Sequence, residues 1–104
     1  RRAGVVFYFK PIQFDLGPLS RNHACEWGPS NIRVNAILPG LVKTDFARAL
    51  WENDKARKAR EAMTPLRRLG EPEEIGGIAV FLASRVANFI TGQTIIADDG
   101  VTIA

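Results

Sequence analysis

The sequence is short of the residues from which catalytic and metal sites are most often built. Its 104 residues include one cysteine, Cys25, one histidine, His23, and one tyrosine, Tyr8. A lone cysteine excludes an internal disulfide and fits a reducing compartment, so a cytoplasmic location is expected. Cys25 itself reads as a small buried hydrophobe. His23 has no partner at metal-ligand spacing, and no metal site is expected. No apolar run approaches the roughly 20 residues of a membrane span, which argues against a membrane partner. The net charge is a modest +3. Its richest basic stretch, Lys55, Arg57, Lys58 and Arg60, is flanked by Glu52, Asp54 and Glu61 and reads as a solvated helix face. Nucleic-acid binding would want a denser patch with interleaved aromatics, so no nucleic-acid partner is expected. An initiator Met is also lacking, and the opening "RRAGVVFYFK" meets Lys10 too early for a signal peptide. The chain is expected to begin partway through something longer.

What is present is the composition of a globular chain, 46% apolar and 24% charged, enough for one domain or a piece of one. Residues 1–18 hold the strand-like run "GVVFYF", but Pro11, Gly17 and Pro18 break any longer element there. Leu19, Ala24 and Trp27 have near-helical spacing, stopped by Gly28-Pro29. "NIRVNAIL" reads as a strand ending at the turn signal Pro39-Gly40. Thr44 or Asp45 would cap a short helix, "FARALWE", in which Phe46 and Trp51 are expected to pack onto the body. A charged helix, "DKARKAREAM", follows.

The clearest helix start is at Pro72, with Glu73 and Glu74 suited to the positive end of the helix dipole. Ile75, Ile78, Ala79 and Leu82 then form one apolar stripe, and the costly pair Gly76-Gly77 suggests close packing against a neighbour. "QTIIAD" is a last strand, closed by Asp99-Gly100. Two strands joined by a long helical connection are most naturally parallel neighbours, so the class is α/β.

In open parallel sheets, ligands gather beyond the carboxyl ends of strands, where Pro39-Gly40 sits. Gly40 would let a ligand approach the backbone, and Thr44 offers a hydroxyl near free helix N–H groups. The alternative is that Pro-Gly is a plain turn and Thr44 a plain cap.

Three blocks, "NIRVNAILPGLVKTDF", "RLGEPEEIGGIAVFLAS" and "ITGQTIIADDG", resemble in order and spacing the carboxy-terminal part of a short-chain dehydrogenase/reductase, over about residues 21–100. The resemblance implies the carboxy-terminal portion of a Rossmann-type doubly wound parallel sheet, with two strands plus helices in this chain. It implies NAD or NADP as cofactor, with Pro39, Gly40, Leu41, Val42 and Thr44 along the nicotinamide end and the Val42 backbone on the carboxamide. It implies a small-molecule alcohol or carbonyl substrate for a full-length parent, covered by residues 45–66. Subunit contacts through the last strand and its preceding helix, hence a homo-oligomer, are implied as well.

The other half of such an enzyme is missing. The family's phosphate-binding turn has Gly-x-x-x-Gly-x-Gly spacing, and no three of the nine glycines fit it. Its chemistry uses a Ser and a Tyr-x-x-x-Lys pair, in which the Lys lowers the Tyr pKa for proton exchange with the substrate oxygen. Four residues after Tyr8 stands Ile12, and at the family's usual spacing the Tyr and Lys positions fall on Phe9 and Gln13. No catalytic residue carries over. Residues 1–19 therefore read as a non-family or altered segment, joined by a frameshift or altered splice to a family-like tail, residues 20–104. The expectation is an inactive fragment, or alternatively a non-catalytic interaction protein that pairs with itself or with a full-length relative. Two smaller departures are His23 at a usual Leu, and Asp99 at a common Gly, which is expected to disturb the last turn.

Overall fold

The structure, a computed structural model, describes residues 3–9 and 17–101. Its elements in chain order are β1 (Gly4–Phe9), α1 (Gly17–Trp27), β2 (Ile32–Pro39), α2 (Arg48–Trp51), α3 (Asp54–Ala62), α4 (Pro72–Ala83) and β3 (Thr94–Ala97). They form an α/β fold around one parallel three-stranded sheet of order β1-β2-β3.

β2 is the centre. Residues 34–38 are buried without a break, as in a strand covered on both faces rather than on alternate positions. Val34, Ala36 and Ile37 are fully buried and carry the core with Leu38. The β-branched Ile32, Val34 and Ile37 suit the pleat, and the strand stops where Pro39-Gly40 ends it.

Two strands were expected, and three are found among the described residues. "GVVFYF" pairs with β2 along its whole length, from Gly4 opposite Ile32 to Phe9 opposite Ile37. The strand exists despite the breakers that follow it in sequence, because six residues suffice when each has a ladder partner. Pro11 itself lies outside the described residues. β2 thus has neighbours on both sides.

The helix expected from Leu19 is present, but its buried side is set by Ser20 and Ala24, one turn apart, while Leu19 is largely exposed. Small residues let the helix lie close to its surroundings: a Cβ on Gly92 would touch that of Ala24 at 3.4 Å. Cys25, on the other side of the helix, is exposed and not the buried hydrophobe expected. His23 is not an orphaned polar ring. The Tyr8 hydroxyl is hydrogen-bonded to its Nδ1, and the ring stacks on Trp27 with centroids 4.4 Å apart. The single tyrosine therefore ties β1 to α1.

At the amino-terminal end of β2 the 84–93 segment is fastened by polar groups. Asn35, fully buried, donates to the Ile90 carbonyl at 3.2 Å and accepts from the Gln93 N–H at 3.1 Å. The Thr91 hydroxyl accepts from the Val34 N–H at 3.0 Å. A buried amide with both ends satisfied avoids the desolvation penalty an unpaired one would bring.

α4 begins at Pro72 as expected. Glu71 caps it, forming a reciprocal capping box with Glu74. Leu82 is buried and Ile75, Ile78 and Ala79 are half-buried. The packing expected at Gly76 and Gly77 is not there: a Cβ at either position meets nothing within 4 Å among the described residues. α2 starts later than expected, with Ala47 as its cap.

Replacement of the fully buried Ile37 by Ala is expected to cost about 2–5 kcal/mol. Val80→Ala, on an exposed side chain, should stay within about 0.5 kcal/mol. Urea unfolding of both variants checks the ranking, and equal losses would contradict this placement of the core.

Candidate functional site

β2 and β3 end together, Pro39 opposite Ala97, and the Gly40 N–H donates to the Ala97 carbonyl at 2.9 Å. A Cβ on Gly40 would stand 2.8 Å from the Asp98 Cα. The close approach of β3's end thus requires glycine here. Beyond it the chain meets residue 70 in a parallel bridge: Gly70 N–H donates to the Leu41 carbonyl at 3.0 Å, and Lys43 N–H donates to the Gly70 carbonyl at 2.9 Å. The Leu41 and Val42 N–H groups make no hydrogen bond within the described residues.

Thr44 acts as a local cap. Its hydroxyl oxygen accepts from the Ala47 N–H at 3.2 Å, which leaves the hydroxyl proton for another partner. Its carbonyl accepts from the Trp51 indole N–H at 2.8 Å, which ties Trp51 back to the start of its own segment. Phe46 does not pack onto the body as expected: it is fully exposed. With Leu50, Met63 and Leu66 it leaves apolar side chains in solvent along residues 45–66.

A cleft of about 580 Å³ opens beside these strand ends. Gly40, Leu41 and Val42 line it, facing Ile75 and Ile78 of α4 and Ile96 of β3. Three of the five sequence-predicted residues are therefore brought into one cavity. Pro39 and Thr44 stand outside its lining.

Of the charged groups at the cleft, Glu74 and Asp99 were named from sequence in other roles and Arg68 was not. The Arg68 guanidinium grips both Glu74 oxygens at 2.7 Å and also donates to the Leu69 carbonyl at 3.1 Å. The hydrogen bond from Arg68 is the main cause that holds the Glu74 carboxyl down to about 2, with the Glu71 N–H adding to it. Glu74 in turn raises Arg68 above its ordinary value. The six-residue separation of these partners follows no helical spacing, so sequence patterning offered no signal for the pair.

Asp99 does not disturb the last turn. Its φ of 61° is the left-handed conformation a Gly would take there, and Asp tolerates it better than most side chains. Desolvation would raise its carboxyl. Hydrogen bonds from the Thr64 side chain and from the Arg68 and Leu66 N–H groups, with the Arg68 charge, outweigh that and hold it below the ordinary value.

Among the described residues, the expected catalytic positions bring no proton-transfer group to the cleft. Tyr8 is engaged by His23. Phe9 ends β1 opposite Ile37, and Gln13 lies outside the described residues. Among the described residues no group of three His, Cys, Asp or Glu side chains could hold a metal ion, and no helix is long and apolar enough to cross a membrane.

Comparison with known proteins bears on this geometry. A family model described as Enoyl-(Acyl carrier protein) reductase matches residues 13–102. A tropinone reductase homolog of Arabidopsis thaliana is 43% identical over 101 residues, covering 97% of this chain and 38% of that protein. The solved structure of a 4-hydroxyisoleucine dehydrogenase complexed with NADH superposes with a TM-score of 0.90 at 26% identity, over 97% of this chain and 48% of the other. A putative 2-deoxy-d-gluconate 3-dehydrogenase from Agrobacterium tumefaciens with bound NADP gives 0.89 at 30% identity, over 99% and 48%. The chain thus spans less than half the length of each. The likeness expected over residues 21–100 reaches further, since residues 13–19 fall inside the matched region. Restriction of the resemblance to a carboxy-terminal part finds no support in these matches.

The Glu74 carboxyl gives the site an acid sensitivity. Its folded value of about 2 lies below the ordinary 4.5, so its contribution is complete above pH 4.5 and is lost as the pH falls toward 2. Asp99, also lowered, acts in the same direction. The thermal midpoint is expected to fall across that window, and more shallowly in Glu74→Gln. An equally steep fall in the variant would contradict the assignment.

Proposed function

This chain belongs to the short-chain dehydrogenase/reductase family, and from that premise we propose that it carries the nicotinamide side of a dinucleotide site without the catalytic side. Leu41 and Val42 are the observation behind this reading. Among the described residues their N–H groups have no partner, at the carboxyl end of the central strand and beside an apolar-walled cleft. They suit a carboxamide oxygen, which accepts hydrogen bonds from N–H groups. The Thr44 hydroxyl, with a proton to give, is placed by its cap to serve the carboxamide or the pyrophosphate. Pro39 and Gly40 bring these groups to the strand end. The group held is NAD or NADP, as in the family neighbours with bound NADH and NADP. When bound it would supply or accept hydride.

The rest of the enzyme would belong to a full-length parent acting on an alcohol or carbonyl. Residues 45–66, with Phe46, Leu50 and Met63 exposed, suit a lobe that covers a partly apolar substrate. Residues 20–104, with residues 13–19 also inside the family match, supply part of a Rossmann-type domain. Without Tyr-x-x-x-Lys and the glycine-rich turn, this chain alone is inactive, a fragment in function, and its single cysteine fits a cytoplasmic location. A second reading, a non-catalytic protein pairing with itself or a full-length relative, is favoured by exposed Val80 and Phe81 on α4 and Ile96 on β3. Sedimentation velocity separates the two: a monomer at all concentrations removes the second.

The chain incubated with NADH or NADPH and a panel of ketones and aldehydes should leave the reduced cofactor unoxidised. Amide resonances of Leu41, Val42 and Thr44 should shift in the titration. Thr44→Ala should weaken that binding by about 2- to 10-fold, the worth of one hydrogen bond. Turnover of the cofactor would overturn the proposed inactivity, and unshifted amides would overturn the half-site.

A further inference from the structure

We propose that Asp99 is a positioning residue for residues 41–43, acting through the backbone of residues 66–70, which its carboxylate pins to the end of β3. The proposal rests on the reading of residues 41–43 as the nicotinamide side of the site.

The carboxylate reaches across the fold. One oxygen accepts from the Leu66 N–H at 2.7 Å and the other from the Arg68 N–H at 3.3 Å. Between those two anchored groups sits Arg67 with a φ of 58°, a left-handed conformation that a long side chain adopts only when its surroundings hold it there. Asp99 holds it on both sides. Its neighbour Gly100 lies against Pro65 so tightly that a Cβ would stand 2.7 Å from the proline Cγ. The end of β3 therefore docks on the 65–68 segment by both contact and hydrogen bond.

That segment continues directly into the candidate site. Leu69 is buried, and Gly70 bonds to Leu41 and Lys43 on its two sides. Arg68 adds a second tie, through Glu74, to the first turn of α4. Residues 41–43 are thus fixed by a strap whose far end is held by a carboxylate. A Gly at position 99, common in the family the sequence resembles, could take the same φ but could offer no such acceptor.

Amide hydrogen exchange across the full chain tests this, in wild type, Asp99→Gly and Asp99→Asn. Gly keeps the left-handed backbone and loses the carboxylate. Asn keeps the conformation and one acceptor oxygen. In Asp99→Gly, exchange at Leu66, Arg68, Gly70 and Lys43 is expected to quicken about tenfold or more, while Ala36 in the sheet centre stays within about twofold. Asp99→Asn should restore Leu66 and part of the protection at Lys43. A titration with NADH should show several-fold weaker binding in Asp99→Gly.

Quickening confined to Leu66 and Arg68 would overturn the proposal, because the pin would then be local. Quickening that includes Ala36 equally would overturn it as a general loss of stability. Unchanged NADH affinity in Asp99→Gly, where wild type binds, would also overturn it. Should wild type not bind NADH while Lys43 and Gly70 respond as expected, the dinucleotide reading fails and the positioning of residues 41–43 stands.

Discussion

Everything in this fold depends on one strand being covered on all sides. β2 is laddered to β1 and to β3 along its two edges, and its residues 34–38 are buried. Parallel pairing forces each connection to travel back outside the sheet, so α1 precedes β2 and the 40–93 excursion follows it. The carboxyl ends of β2 and β3 are consequently brought side by side, and the close approach of Asp98 to Gly40 fixes their spacing. The candidate site is the space left over at that junction.

Much of this was readable along the chain. The apolar run of β2, the turn at Pro39-Gly40, the Pro72 start of α4 and the final strand each rest on a local signal that survives folding. The local signals also explain the errors. "GVVFYF" was discounted because of nearby prolines and glycine, yet its strand character is decided by a partner, residues 32–37, that no local window contains. Gly76-Gly77 was taken as a packing surface, but glycine reports only that a close approach is allowed, not that it occurs.

The candidate site shows the same division. Leu41 and Val42 were named from a resemblance, and the structure gives them a cleft. The pairings that shape the cleft were invisible in sequence because they join residues 6, 31 and 33 positions apart, without periodicity. Asp99 was misjudged by its residue type: a departure from Gly suggested strain, whereas its carboxylate supplies hydrogen bonds that offset the left-handed backbone. His23 is a similar case, a polar substitution matched by Tyr8 across the sheet–helix contact.

The central claim is that one end of a nicotinamide dinucleotide meets this chain and the other does not. Saturation-transfer NMR with NADH measures this directly, since it reports which ligand protons touch protein. The account expects strong transfer to the nicotinamide ring protons and weak transfer to the adenine protons. Transfer led by adenine, or equal at both ends, would contradict it.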